Sequence, residues 1–138
     1  KRVPQLIAGS HPFFSVDTLE YLRKGGRIGG VASVAGSLLK IKPIISCNEE
    51  GSYYTVEKIR GAKAGKEKLL HHVEDFCSGR PALLALMNGG AQEEAAAIKP
   101  ILKKTIKQGK IVAEDQITAT LAINTGPGLV GIGILVDP

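Results

Sequence analysis

An arginine that follows two glycines is the first feature of this sequence that could do chemistry. Arg27 comes directly after Gly25 and Gly26, which end a predicted helix. At such a corner a guanidinium can offer two parallel N–H groups to a carboxylate. The same placement suits a cation at the negative end of the helix dipole. The residue types therefore indicate either an anion-binding arginine or a helix cap, and spacing alone leaves both open.

A glycine-rich turn near the end of the chain is the second such feature. Asn124 and Thr125 precede Gly126, Pro127 and Gly128. Glycines allow exposed backbone N–H groups to form an anion-binding nest, and the Asn amide and Thr hydroxyl can donate further hydrogen bonds. Most turns of this kind only connect two elements, so the motif by itself is weak.

The sequence shows no arrangement typical of a catalytic centre. It has no Ser-His-Asp order, no nucleophile elbow and no GxxxxGK phosphate loop. His11, His71 and His72 have no partner at metal-ligand spacing, and Cys47 and Cys77 lack CxxC spacing. We therefore predict a protein without its own enzyme activity, cofactor or metal, in a reducing cytoplasm.

The charge balance is basic but dispersed. The chain has 18 Lys and Arg against 13 Asp and Glu, a formal net charge of +5. Such a balance invites a nucleic-acid hypothesis, because lysines and arginines release counterions from phosphates. Here the lysines alternate with acidic residues along predicted helices, which is typical of a solvated helix surface. An acidic protein partner, an anionic ligand and nucleic acid remain alternatives.

The elements that must position these residues follow from hydrophobic periodicity and from glycine and proline breaks. Helices are predicted over 15–23 with Ser15 as N-cap, over 31–39, over 62–77, and over 91–108 with a break or kink near Ile98 caused by Pro100. Strands are predicted over 43–47, 52–59, 82–87, 110–115, 118–123 and 129–136, and residues 1–14 are read as an amino-terminal linker. This order predicts an α/β (mixed α+β) fold, a largely antiparallel sheet packed by helices.

Four segments, in order and covering most of the chain, give a specific resemblance to a known family. They are Leu19–Ile28 (LEYLRKGGRI), Ser37–Ile44 (SLLKIKPI), Glu57–Gly61 (EKIRG) and Thr125–Gly128 (TGPG). In these segments the sequence resembles the DegV family of bacterial fatty-acid-binding proteins. The resemblance implies a carboxy-terminal domain over 15–138 of a two-domain protein, whose amino-terminal domain has no counterpart in these residues.

The resemblance also implies a function. The two halves of such a protein clamp one long-chain fatty acid and present it to a fatty acid kinase catalytic subunit, which phosphorylates the carboxylate for phospholipid synthesis. On this basis Arg27, Asn124, Thr125 and Gly126 are expected to hold the carboxylate. The family usually carries histidine at the position of Asn124. An amide still donates a hydrogen bond, but it cannot carry charge or shuttle a proton near neutral pH.

Further residues are assigned by the same resemblance. The acyl tail is expected to contact Ile28, Val31, Leu38 and Ile44, which should be exposed when this half is alone. Arg60 and Lys63 are expected to dock the kinase subunit, although a solvated strand end explains Arg60 equally well from the residues alone. Two other classes stay open: an enzyme subunit acting on phosphate esters through Arg27 and Asn124, and a nucleic-acid-binding domain.

Overall fold

A computed structural model describes residues 2–32 and 41–136 of the chain. Within these residues the helices are α1 (Val3–Ala8), α2 (Glu20–Lys24), α3 (Ala62–Cys77), α4 (Gln92–Thr105) and α5 (Ala119–Thr125). The strands are β1 (Ser10–Ser15), β2 (Ile41–Cys47), β3 (Tyr53–Arg60), β4 (Ala82–Gly89), β5 (Gly109–Gln116) and β6 (Leu129–Val136). The helix predicted over 31–39 falls almost entirely outside the described residues.

The described strands form one sheet in the order β3-β2-β1-β6-β4-β5. Neighbouring strands are antiparallel except β4 and β5, which are parallel and joined by the crossover helix α4. A parallel pair needs such a crossover, whereas the antiparallel β2–β3 pair needs only the turn at 48–52. The predicted mixed fold, with a largely antiparallel sheet packed by helices, is confirmed.

The two faces of the sheet belong to two separate cores. On one face Phe13 and alternate residues of β4 and β6 pack beneath α3 and α4. On the other face Phe14 packs with Leu22 of α2, with Val31 and with Leu129. Successive strand residues point to opposite faces, so the neighbours Phe13 and Phe14 contribute to different cores.

The linker predicted over 1–14 is wrong for its second half, because residues 10–15 form β1 in the middle of the sheet. Pro12 concealed this strand, since proline cannot donate to a ladder. The structure tolerates it because β1 pairs with β2 only at Phe14 and Ser15. At Pro12 the β2 side is closed instead by the Ser46 hydroxyl, which donates to the Pro12 carbonyl at 2.7 Å.

Two further predictions of secondary structure are wrong, in short segments whose conformation depends on long-range contacts. The helix predicted from Ser15 begins only at Glu20, because Ser15 is still paired in the sheet with Ile44 and Val130. The strand predicted over 118–123 is instead helix α5. Its Thr and Ile content favours strands, but a segment of this length is ambiguous by pattern alone.

The remaining elements follow the predictions closely. Helix α3 has the predicted bounds, and the hairpin of β2 and β3, with β4, β5 and β6, is confirmed within one or two residues. Helix α4 shows no break at Pro100 and runs without interruption over Gln92–Thr105. Ile98 and Leu102 are fully buried on either side of Pro100. Their burial in the core compensates for the hydrogen bond that proline removes.

Replacement of Pro100 by alanine is expected to stabilise the fold. Proline in a helix interior costs about 3 kcal/mol relative to alanine, and Pro100 is exposed, so alanine fits. We expect Pro100→Ala to raise the free energy of unfolding by roughly 1–3 kcal/mol in urea denaturation. Pro81→Ala is the control, because Pro81 is exposed and outside any helix, and should change stability by less than about 1 kcal/mol. An unchanged Pro100→Ala protein would contradict this account of α4.

Acid sensitivity of the fold is expected to centre on His11. Its ring stacks on Phe76 and tilts against Phe13, with ring centroids 4.8 and 4.7 Å away, and Nε2 lies 2.7 Å from the buried Ser46 hydroxyl. Burial lowers the pKa of His11 below its ordinary value of 6.5. The unfolded chain therefore binds a proton first, and stability falls as the pH drops through the window below 6.5.

The measurement is urea unfolding at several pH values between neutral and mildly acidic. His11→Gln should flatten the loss of stability on acidification relative to the parent, even if the variant is less stable at neutral pH. His71→Gln is the matched control, because His71 is exposed, and should keep the parental slope. If stability fell equally steeply with decreasing pH in the parent and in His11→Gln, His11 would be ruled out as the source of the acid sensitivity.

Candidate functional site

Helix α2 and its flanks pack directly against the turn between α5 and β6. Three contacts join the two segments: Asp17 with Gly128, Tyr21 with Gly126, and Gly25 with Asn124. The contacting residues are four apart along the first segment and two apart along the second. In each pair a side chain occupies the space that a Cβ on the glycine would need. We call these three contacts the seam.

The glycines of the turn are required by conformation as well as by space. Gly126 and Gly128 have φ values of 73° and 91°, which other residues rarely adopt. The Gly126 N–H donates to the Ala122 carbonyl at 2.8 Å, and the Gly128 N–H donates to the Gly89 carbonyl at 2.7 Å. Both donors are therefore used inside the fold. The free N–H nest predicted for this turn is not formed.

Arg27 lies where α2 ends and takes the helix-capping role, one of the two that the sequence left open. Its backbone N–H donates to the Leu22 carbonyl at 2.8 Å, and Nη1 donates to the Gly25 carbonyl at 2.6 Å. The side chain caps the helix end in this way and is still exposed. Burial raises the pKa of Tyr53, and the nearby positive charge of Arg27 opposes that rise.

Asn124 and Thr125 face different surroundings. Thr125 is fully buried, and its hydroxyl donates to the Leu121 carbonyl at 3.0 Å. This hydroxyl stabilises α5 and does not point to solvent. Asn124 is half-buried, its Nδ2 donates to the Thr120 carbonyl at 3.0 Å, and its Oδ1 lies against Gly25. One N–H of the amide remains for another acceptor, since an amide NH₂ carries two donors.

The structure thus brings Arg27 and Asn124 together at a single residue. Arg27 contacts Gly25 through its carbonyl, and Asn124 contacts it through the space left by the missing side chain. Both side chains therefore contact Gly25 at the carboxyl end of α2. Each also has further N–H groups of the kind that a carboxylate accepts.

The residues expected to line an acyl tail are more dispersed. Ile28 is half-buried against the core beneath α2, and Val31 lies fully inside that core. Ile44 is fully buried on the opposite face, beneath α3 and α4. The expectation that Val31 and Ile44 are exposed is therefore wrong, because each core supplies its own cover. Leu38 lies outside the described residues.

Sequence reasoning missed a partly open apolar surface that begins at the turn. On β6 and β4 the residues that point away from α3 and α4 form three cross-strand pairs. These are Met87 with Gly131, Ala85 with Gly133, and Leu83 with Leu135. Leu83 is 44% exposed, and Ala85, Met87, Gly133 and Leu135 are half-buried. We call this surface the open face; the alternate glycines of GLVGIGILV were its signal.

Arg60 and Lys63 lie together where β3 ends and α3 begins. Both are exposed, and neither has an ion pair within residues 2–32 and 41–136. The neighbouring carboxylate of Glu57 is already engaged by Lys68 at 3.0 Å and His72 at 2.8 Å. These partners, Lys68 first, hold the pKa of Glu57 below its ordinary value. Arg60 and Lys63 are therefore available to an acidic surface.

Neither a metal-binding cluster nor a membrane-spanning helix is found in the part of the chain that the structure describes. No cluster of three or more His, Cys, Asp or Glu side chains there could hold a metal ion. None of the described helices is long and apolar enough to cross a membrane.

Replacing Gly126 by alanine should be more damaging than the same change at a glycine with similar backbone angles. Gly51 has φ of 80° and open space around it, whereas a Cβ on Gly126 would overlap the Tyr21 ring. Gly51→Ala should lose about 1–2 kcal/mol of stability from strain alone. Gly126→Ala should lose roughly a further 1–3 kcal/mol from overpacking.

Chemical denaturation of both variants and of Tyr21→Ala/Gly126→Ala measures the difference. The double variant should recover most of the extra loss when compared with Tyr21→Ala alone. If Gly51→Ala and Gly126→Ala were equally destabilised, the contact of Tyr21 with Gly126 would not be a constraint on the fold.

Comparison with known proteins places this geometry in context. A family model described as "Uncharacterised protein, DegV family" matches residues 1–137. A DegV domain-containing protein of Clostridium acetobutylicum is 34% identical over 98% of this chain and 48% of its own length. One from Clostridium perfringens is 39% identical over 88% of this chain and 43% of its own length. The chain spans about half the length of the relatives it matches.

Solved structures show the same fold. A stearic acid-binding protein from Eubacterium ventriosum superposes with a TM-score of 0.87 at 26% identity, over 98% of this chain and 47% of that protein. A fatty-acid-binding DegV family protein from Streptococcus agalactiae gives 0.86 at 27% identity, over 99% of this chain and 48% of that protein. The family match over residues 1–137 and the shared fold lead to one conclusion: this chain belongs to the DegV family.

Proposed function

We propose that this chain is the carboxy-terminal half of a two-domain fatty-acid carrier. The observation that carries the proposal is the convergence of Arg27 and Asn124 on Gly25 at the head of the open face. Fatty-acid binding by DegV proteins of the same fold supports it. The ligand is a long-chain fatty acid, and the protein itself catalyses no reaction and uses no cofactor.

The carboxylate is held by Arg27 and Asn124. Arg27 uses one N–H on the Gly25 carbonyl and keeps further guanidinium donors for the ligand. Asn124 contributes its remaining amide N–H. Because an amide cannot gain or lose a proton near neutral pH, Asn124 orients the carboxylate without proton transfer. Gly126 and Thr125 support the site through the fold, since their donors are already used.

The acyl tail runs from this point along the open face. β6 begins one residue after Gly128 and carries Gly133, which is half-buried, on that face, so the acyl chain can lie close to the backbone there. Ile28, half-buried near the head group, is the predicted tail residue best placed for contact. Val31 and Ile44 support the walls from within the two cores.

The energetics favour a site shared by two halves. Burying a tail of about 16 carbons gains on the order of 12 kcal/mol at about 0.8 kcal/mol per methylene, against an association cost of about 4–15 kcal/mol. A tail on the open face alone would keep one side in water and forfeit much of that gain. We therefore propose that an amino-terminal half, joined ahead of β1, covers the tail.

Presentation to a kinase subunit is the second part of the proposal. Arg60 and Lys63 form an exposed basic pair that can dock an acidic surface of the catalytic subunit. Charges of this kind act mainly on encounter rate and partner choice. The kinase would convert the bound carboxylate to an acyl phosphate for phospholipid synthesis. We place this system in the cytoplasm, consistent with the free thiols of Cys47 and Cys77.

The test is made on the complete gene product that contains this chain. After native purification, mass spectrometry of extracted lipid should find about one acyl chain per protein. Arg27→Ala should weaken palmitate binding roughly 10- to 100-fold, the loss expected for a hydrogen bond to a charged group. Arg27→Lys should be intermediate because it keeps charge without the planar fork. Lys104→Ala, on the exposed surface of α4, is the control and should bind normally.

Arg60→Ala separates binding from presentation. It should keep palmitate affinity and slow acyl phosphate formation by the kinase subunit at low salt. Protein that arrives without lipid and does not take up palmitate or oleate would overturn the carrier proposal. Steeply salt-dependent binding of DNA or RNA by the same protein would favour the nucleic-acid alternative instead.

A further inference from the structure

We infer that Gly25 is a positioning residue that sets the pose of both arms of the head-group site, Arg27 and Asn124. Its effect on ligand affinity rests on the proposed function. Its effect on the pose of Asn124 does not depend on any ligand.

The backbone does not explain why position 25 is glycine. Gly25 has φ −80° and ψ −1°, in the right-handed region that every residue adopts. Its neighbour Gly26 has φ of 70° and needs glycine for conformation. A Cβ on Gly26 would meet nothing within 4 Å, whereas a Cβ on Gly25 would fall on Oδ1 of Asn124. The constraint at Gly25 is therefore steric, and the partner is a predicted ligand-binding side chain.

The missing side chain of Gly25 fixes the orientation of Asn124. The amide is held on one side by the Thr120 carbonyl, which accepts from Nδ2 at 3.0 Å, and on the other by contact of Oδ1 with Gly25. A methyl group at position 25 would displace the Asn124 amide from this position. The amide would then lose its bond to Thr120 or turn its remaining N–H away from the site.

The carbonyl of Gly25 fixes the second arm. It accepts from Nη1 of Arg27 at 2.6 Å, while the Gly25 N–H donates to the Tyr21 carbonyl at 2.9 Å. Gly25 is thus hydrogen-bonded to α2. Its carbonyl binds Arg27, and its Cα, which has no side chain, contacts Asn124. Any displacement of this residue changes the distance between the two donors that a carboxylate must reach together.

The first measurement is made without ligand. In Gly25→Ala, the side-chain amide signal of Asn124 in a ¹H–¹⁵N NMR spectrum should shift strongly, because its hydrogen bond to Thr120 is disturbed. In Gly26→Ala, the matched control, the backbone is strained but the Asn124 signal should stay near its parental position. An unmoved Asn124 signal in Gly25→Ala overturns the inference, whether or not the protein binds lipid.

The second measurement is a double-mutant cycle for palmitate affinity in the complete gene product. Gly25→Ala alone should weaken binding about tenfold, comparable to loss of one hydrogen bond to a charged group. In an Asn124→Ala background, where the colliding side chain is absent, Gly25→Ala should change affinity by less than about twofold. If Gly25→Ala weakened palmitate binding by the same factor in the parent and in the Asn124→Ala background, Gly25 would act independently of Asn124. That result would contradict the inference.

The two measurements distinguish failure of the proposed function from failure of the positioning role. If the parent protein binds no palmitate but Gly25→Ala moves the Asn124 signal, the proposed function fails and the positioning role stands. If palmitate binds and the Asn124 signal does not respond, the proposed function stands and the positioning role fails.

Discussion

The close approach of α2 to the turn between α5 and β6 is the constraint on which the rest of the site depends. Three contacts, in which a side chain takes the place of a glycine Cβ, hold the two segments together. A spacing of four residues along α2 and its flanks, and a spacing of two from the end of α5 through the turn, bring the three pairs together. Gly25, two residues before Arg27, and the glycines of the turn therefore belong to one packing arrangement, although about 100 residues separate them.

The sheet makes this arrangement possible and also limits it. One face is closed by α3 and α4, which bury Phe13, Ile132 and Ile134. Within the residues that the structure describes, α2 covers the other face near Phe14 and Leu129, and this face is more exposed further along β6 and β4. In the proposed function, the donors beside the seam would bind the polar end of an amphipathic ligand and the open face would bind its apolar end.

Sequence reasoning succeeded where a local signal was long or unambiguous. The amphipathic period of residues 62–77 predicted α3, and the apolar runs predicted β4 and β6. The motif around Arg27 and the Gly-Pro-Gly turn pointed to the family, and the structure places Arg27 and Asn124 in contact with the same residue, Gly25. Sequence reasoning failed at Pro12, at Ser15 and over 118–123. These segments are short, and their conformation is decided by pairing with distant strands or by packing on the sheet.

The amino-acid sequence by itself determined the fold class and the family, because residue types and spacing carry that information locally. Only the tertiary structure decided which donors are free. It assigned the hydroxyl of Thr125 and the N–H groups of Gly126 and Gly128 to internal carbonyls, and it left Arg27 exposed. It also placed Ile44 on the wrong side of the sheet for a shared ligand surface. Such outcomes depend on contacts between residues far apart in the chain, which no local pattern records.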